Sequence, residues 1–252
     1  MISISIIGVI VLKKTAFVTG ADRGVGLALV KCLLELEYDV FAGRYADHVP
    51  QLNELKEAHA DRLQVLQLDI SSDESVARAF EATAARTDQL DLLINNGAIL
   101  GDITATVLDP LHYAEMLDVF NVNTLGSLRM SQTFMPLLLK GESKFLLNIS
   151  SEAGSISDCY RDSWYAYCMS KAALNMQSKL IHNGIKQLGG RVLVVHPGWV
   201  QTYMQGQLDA AATLTPEQSA SSILKLVEAR ISLDAAAADC EYVDYAGNAL
   251  NW

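Results

Sequence analysis

Tyr167 and Lys171, four residues apart in this 252-residue chain, form the pair best suited to move a proton. At i and i+4 the two side chains share one helix face, and an ammonium beside a phenol lowers the phenol's pKa from ~10 toward neutrality. Exposed tyrosines and lysines often fall at this spacing, so the pair gains meaning only from its surroundings. Sixteen residues before Tyr167 stands Ser151, in the run Asn148-Ile149-Ser150-Ser151-Glu152-Ala153-Gly154. A hydroxyl there can donate to a substrate oxygen, though chemistry alone does not separate Ser151 from Ser150.

Such groups need a scaffold that holds them at one edge. Short apolar runs recur at Thr15 to Thr19, Val40 to Ala42, Leu63 to Leu68, Leu90 to Ile94, Phe145 to Ile149 and Val192 to Val195. Helix-like stretches separate most of them, the first from Val25 to Leu36 with Leu27, Val30, Leu33 and Leu34 on one side. Near-continuous apolar strands alternating with helices indicate an α/β fold, a doubly wound parallel sheet of Rossmann type with helices on both faces. No long linker or internal repeat interrupts the chain, so residues 15–252 read as one domain. Residues 1–14 form an apolar N-terminal extension of unknown role, shorter than the ~20 residues a spanning helix needs.

After the first strand comes Thr19-Gly20-Ala21-Asp22-Arg23-Gly24-Val25-Gly26, with glycines where a backbone turns tightly and approaches a pyrophosphate at a helix N-terminus. A glycine-rich turn opens helices in many folds and is weak evidence by itself. The formal net charge of −10 argues against nucleic-acid phosphates and anionic membranes as partners. The four cysteines, Cys32, Cys159, Cys168 and Cys240, are scattered, which suits a reducing cytoplasmic location. No cluster at metal-ligand spacing is present and no metal is expected; His196 reads as structural.

Taken together, the sequence resembles the short-chain dehydrogenase/reductase family. Its Thr-Gly-x-x-x-Gly-x-Gly turn is matched by Thr19, Gly20, Gly24 and Gly26, its serine motif by Ser151 and Gly154, and its Tyr-x-x-x-Lys by Tyr167 and Lys171. Asn95-Asn96-Gly97-Ala98 resembles the family's Asn-Asn-Ala-Gly with the last two residues exchanged, and Asn123 with Gly126 matches Asn-x-x-Gly. The gap between Ser151 and Tyr167 exceeds the family's usual one, so the loop between them is expected to be extended near the substrate mouth. The segments around Tyr167, His196-Pro197-Gly198-Trp199-Val200 and Asp244-Tyr245-Ala246-Gly247 look like the C-factor or sniffer-type carbonyl reductase branch.

The resemblance implies an oxidoreductase that interconverts a ketone or aldehyde with an alcohol, with Asn123, Ser151, Tyr167 and Lys171 as catalytic residues. It further implies cofactor contacts from Gly20, Gly24, Gly26, Asp69, Ile70, Asn95, Gly97, Tyr167, Lys171, Pro197, Gly198, Val200 and Thr202. In the family Asp69 and Ile70 would meet the adenine, while Pro197 to Thr202 would orient the nicotinamide. The second strand ends in Ala42-Gly43-Arg44, where an NAD-selecting protein usually carries an acid for the ribose 2′-hydroxyl. Arg44 and Arg23 instead offer donors for a 2′-phosphate, favouring NADP(H) over NAD(H). A non-catalytic NADP(H)-binding redox sensor or signalling protein is the alternative. Met204 to Thr215 is expected to form a mobile lid, and Leu111 to Met130 with Tyr165 to Leu188 a surface for a homodimer or homotetramer.

Overall fold

The structure is a computed structural model describing residues 13–233 and 239–252. The extension expected over residues 1–14 lies outside them as far as Leu12. Seven strands form one sheet: β1 (Thr15–Thr19), β2 (Asp39–Arg44), β3 (Leu63–Gln67), β4 (Leu92–Asn95), β5 (Phe145–Ile149), β6 (Arg191–His196) and β7 (Glu241–Asp244). Their order is β3-β2-β1-β4-β5-β6-β7, and every adjacent pair is parallel. The order reverses beside β1, where Val18 sits opposite Ala42 of β2 and Ile94 of β4. In such sheets the crevice at the carboxyl ends of the strands beside this switch is the place for a ligand.

Helices α1 (Gly24–Glu35), α2 (Pro50–Ala58) and α7 (Pro216–Ile231) cover one face; α3 (Asp73–Ala84), α5 (Ser127–Leu138) and α6 (Tyr165–Ile185) cover the other, with α4 (Tyr113–Phe120) packed on α6. The strands bury both sides. Ala16 and Val18 face the α1/α7 core, whereas Phe17 between them enters the α3/α5/α6 core and packs on Phe134 at 4.7 Å. This two-sided burial explains why the strands are continuous apolar runs instead of alternating ones. Among the described residues no helix is long and apolar enough to cross a membrane.

The helix starts differ in ways the sequence dictates. Ser72 caps α3 by accepting the Ser75 N–H, and Thr215 forms a capping box with Gln218 around Pro216 at the start of α7. Helix α1 has Arg23 at its N-cap, no side-chain cap and no acid in its first turn. Its first N–H groups, next to the positive end of the helix dipole, are therefore left to another acceptor. Between α4 and α5 the helix widens into a π-helical stretch, Asn121–Gly126, which buries Asn123.

Candidate active site

The glycine turn lies at the carboxyl end of β1 against the end of β4. Gly20 and Gly24 have φ of +62° and +56°, a region open chiefly to glycine. At Gly26 the obstacle is space, since a Cβ would lie 2.0 Å from the Gly20 carbonyl oxygen. A Cβ on Gly20 would meet the Gly97 Cα at 2.8 Å, so the glycine of the exchanged Gly97-Ala98 pair occupies the point of closest approach. Thr19 Oγ1 accepts the N–H groups of Asn96 and Gly97, and Asn96 Nδ2 donates to the carbonyls of Thr19 and Gly20.

Asn95 and Asn96 thus divide their work. Asn95 turns its side chain into the core, donating to the Ser127 carbonyl, Ser131 Oγ and Asn148 Oδ1. Any contact from Asn95 to a ligand would have to run through its main chain, while the neighbouring Asn96, which sequence reasoning passed over, braces the glycine turn. Asp69 behaves similarly: its Oδ1 accepts the N–H and hydroxyl of Ser71, and Ile70 is buried against the Gly97 and Gly126 backbone.

Arg44 and the exposed Arg23 flank a third residue that the sequence reading left unassigned. Asp22 Oδ1 accepts the N–H groups of Tyr45 and Ala46, tying the glycine turn to the loop after β2. A carboxylate therefore does stand at the end of β2, delivered from β1's loop. Partial burial raises its pKa, against the pull of those two N–H groups and both arginines. Arg44 donates to the Asp47 carbonyl at 2.7 Å.

Across the crevice, β5 ends in the two serines. Ser150 Oγ donates to Asn175 Oδ1 of α6 at 2.6 Å and is turned away, which separates it from Ser151. Ser151 caps the short 3₁₀ turn Glu152–Gly154, accepting the Ala153 N–H, and its hydroxyl donates to Glu152 Oε2 at 2.8 Å. Its own carbonyl accepts the hydroxyl of Tyr242 from β7. Helix α6 is preceded by its N-cap Trp164, a bulky residue held at φ +65°, whose ring meets Tyr167 edge-on at 6.1 Å. That start places Tyr167 in the first turn, buried with Leu100 and Ala153.

Lys171 is buried one turn further on, its Nζ donating to the Ile149 carbonyl at 2.8 Å and lying 5.6 Å from the centre of the Tyr167 ring. Burial pulls the Lys171 ammonium from 10.5 down to about 7. Burial likewise pushes the Tyr167 phenol well above its ordinary value, with the adjacent Ser151 hydroxyl drawing it partly back. The direction for the phenol is thus upward, against the lowering expected from a neighbouring lysine, and desolvation is its largest cause. Asn123 reaches the same region from the π-helical stretch. Its Oδ1 accepts the Ile99 N–H, and its Nδ2 donates to the Ile99 carbonyl and to Ser170 Oγ on α6. Asn121 instead accepts from Arg129.

After β6, the Pro197 carbonyl accepts the Ser219 hydroxyl, Gly198 takes φ +85° against Leu214 and Tyr245, and Val200 bridges to Leu214. Thr202 comes back to the glycine turn, where a Cβ on Gly24 would lie 3.2 Å from its methyl group. The loop beyond exposes Tyr203, and its Met204 to Thr215 stretch, expected as a lid, exposes Met204 and Leu208 and is pinned where Trp199 Nε1 donates to Asp209 Oδ2 at 2.7 Å. Sequence reasoning also missed a charged cluster behind Ser151: Glu152 is ion-paired with Arg161 and lies 3.3 Å from His196 Nδ1. Residue types alone could not reveal it, because its members come from a turn, a loop and a strand end. Among the described residues no group of three or more His, Cys, Asp or Glu side chains is arranged to hold a metal.

A doubly wound parallel sheet with a glycine turn at its switch and a Ser, Tyr and Lys gathered at the carboxyl ends of neighbouring strands defines a Rossmann-type domain of the dehydrogenase kind. A family model described as short chain dehydrogenase matches residues 14–213. The C-signal protein of Myxococcus xanthus is 34% identical over 69% of this chain and 99% of its own. The carbonyl reductase Sniffer of D. melanogaster superposes with a TM-score of 0.85 at 26% identity, covering 95% of this chain and 100% of that one. An NADPH-bound carbonyl reductase from chicken fatty liver gives 0.83 at 30% identity, covering 95% and 99%. The chain belongs to the short-chain dehydrogenase/reductase family of oxidoreductases, with C-signal and Sniffer among its relatives.

Proposed function

We propose that this protein is an NADP(H)-dependent oxidoreductase that interconverts a ketone or aldehyde with the corresponding alcohol. The observation that carries the proposal is the buried Tyr167–Lys171 pair beside Ser151, across the crevice from the glycine turn. A bound nicotinamide supplies or takes the hydride. Proton handling and orientation fall to the chain's own residues. Tyr167, its phenol raised by burial, keeps its proton through neutrality, the form that a general acid needs to protonate a developing alkoxide. Ser151 holds the substrate oxygen and Lys171 the nicotinamide ribose. Asn123, with its side chain engaged, offers its main-chain carbonyl to a relay water in addition to the Ser127 hydroxyl it already accepts.

The residues fit a dinucleotide. Gly20, Gly24 and Gly26 form a cradle that a Cβ would fill, and it opens on the uncapped start of α1. Gly97, Asp69 and Ile70 would border the adenine side, and Pro197, Gly198, Val200 and Thr202 the nicotinamide side, with Asn95 contributing through its main chain. Arg23 and Arg44 support the 2′-phosphate of NADP(H), as does the likeness to a carbonyl reductase solved with NADPH. A homodimer or homotetramer joined through the α4/α6 face, and a cytoplasmic location, complete the proposal.

The test is a fluorescence titration with NADPH and NADH, followed by a panel of carbonyl compounds monitored for cofactor oxidation. Tighter NADPH binding with turnover is the expected result. NADH preference would overturn the arginine assignment, and binding without turnover across the panel would favour the sensor reading. Tyr167→Phe should lower kcat by roughly 10²–10⁴-fold while cofactor affinity stays within a few-fold, as expected for loss of a general acid; undiminished turnover would remove Tyr167 from that role.

A further inference from the structure

The Ser151 hydroxyl has one proton, and in this structure it is given to Glu152. We propose that Ser151 and Glu152 form a proton relay from solvent to Tyr167, separate from the lysine side of the site. The relay presupposes the Tyr167 chemistry proposed above. Its geometry is a chain of neighbours: the Tyr167 phenol lies beside the Ser151 hydroxyl, Ser151 Oγ is 2.8 Å from Glu152 Oε2, and the Glu152 side chain is 42% exposed. Three transfers, from water to Glu152, Glu152 to Ser151 and Ser151 to Tyr167, therefore connect water to a buried phenol. Contacts of this kind do not make a hydrolytic triad, because the serine meets a carboxylate and the imidazole lies behind it, where it cannot take the hydroxyl proton.

The resting direction of the hydrogen bonds fits a relay that has just delivered a proton inward. After Tyr167 has given its proton to an alkoxide, the phenolate is refilled when Ser151 passes its own proton to the Tyr167 oxygen and takes one from the Glu152 carboxyl. Glu152 is left as a carboxylate that accepts the Ser151 hydroxyl, the arrangement observed. Water then restores the Glu152 proton for the next turnover. Bonds to hydrogen form and break in equal number along the chain, and no electrons move. In alcohol oxidation the same chain runs outward.

The charges around Glu152 set how readily it loads. Arg161 grips it from the loop before α6, its guanidinium itself stacked on Tyr160 and Trp164 at 4.7 and 5.0 Å. His196 faces it from the end of β6, with a buried Nδ1 that makes no hydrogen bond among the described residues, and Asp244 of β7 flanks that histidine. Tyr167 stands on the α6 side and Tyr242 on the β7 side. Burial raises the Glu152 carboxyl, but His196, the Ser151 hydroxyl and Arg161 together hold it below its ordinary value. A carboxylate of that kind gives up a proton quickly once loaded.

Glu152→Gln tests the relay, because the amide keeps acceptor and donor contacts yet cannot load and release a proton near neutrality. With a carbonyl substrate that the wild type turns over, stopped-flow mixing of this variant with NADPH should show a burst of one cofactor oxidised per site. A steady state roughly tenfold slower should follow, with a larger solvent deuterium isotope effect on kcat, and Glu152→Asp should recover part of the rate. Arg161→Met, which keeps the carboxyl group but removes its fixed partner, should move the alkaline limb of the reductive kcat profile to higher pH, because Glu152 must be protonated to deliver inward. A Glu152→Gln protein with wild-type kcat, pH profile and isotope effect overturns the relay and leaves the oxidoreductase reading standing. If Glu152→Gln does not fold, an alkaline limb unmoved in Arg161→Met overturns it instead. A wild type that oxidises NADPH with no carbonyl compound overturns the oxidoreductase reading, and the relay with it.

Discussion

Lys171 and Asp22 are each held against their electrostatic preference, and each carries a measurable consequence. For Lys171, burial brings the folded-state pKa to about 7, while the unfolded chain titrates near 10.4. Between these values the unfolded state binds more protons than the folded one, so the stability contribution of this group rises with pH over that window. Thermal unfolding without cofactor should show the wild type gaining Tm from pH 7 to 9 relative to Lys171→Met. Parallel curves for the two proteins would mean that the buried ammonium costs the fold nothing. Asp22 places a carboxylate beside both arginines proposed for a 2′-phosphate. Asp22→Asn keeps an oxygen for the Tyr45 and Ala46 N–H groups and removes the charge, so NADPH should gain on NADH by roughly fivefold to tenfold, about 1 kcal/mol. Paired titrations showing no change in the ratio would place that carboxylate outside the phosphate's reach.

At the scale of elements, the sheet was legible because its strands are buried on both faces. Thr15 to Thr19 and Phe145 to Ile149 were read with the bounds the structure has, and β2 and β6 differ only at their ends. Strand β7 escaped notice because Glu241–Asp244 is short, ends in acids and lies at the sheet's edge, so no apolar run marks it. The π-helical stretch has no sequence period of its own, and the side on which an adjacent residue points, Asn95 against Asn96 or Ser150 against Ser151, depends on what packs there. Glycine is the exception, since its spacing reports backbone demands directly. Gly26→Ala would drive a methyl group into the Gly20 carbonyl and Asn96 Nδ2, at 2.0 and 2.5 Å. The expected cost is about 1–3 kcal/mol, a loss of roughly 2–4 °C in Tm per kcal/mol, together with weakened cofactor binding. A variant that melts with the wild type would show that the turn can shift as a unit.

Over the whole molecule, the apolar surface is unevenly spread. Tyr113 and Leu117 on α4 and Met169, Met176 and Leu180 on α6 are exposed on two helices that pack together, and Leu125 and Leu128 continue the patch. Met176→Glu combined with Leu180→Glu should convert an oligomer to monomers in sedimentation velocity with little change in Tm; a mass equal to that of the unmutated protein would exclude this face as the interface. The site itself is gathered from distant parts of the chain, and the Tyr242 hydroxyl on the Ser151 carbonyl joins residues 91 apart. During synthesis, a ribosome must therefore release the edge strand before that end of the crevice can be closed, whatever the rest of the sheet has already done. A nascent chain halted before Glu241 would carry its glycine turn, Ser151 and Tyr167, yet lack the Tyr242 hydroxyl that meets the Ser151 carbonyl. The partner of the Ser151 carbonyl is thus supplied only once the edge strand has been made.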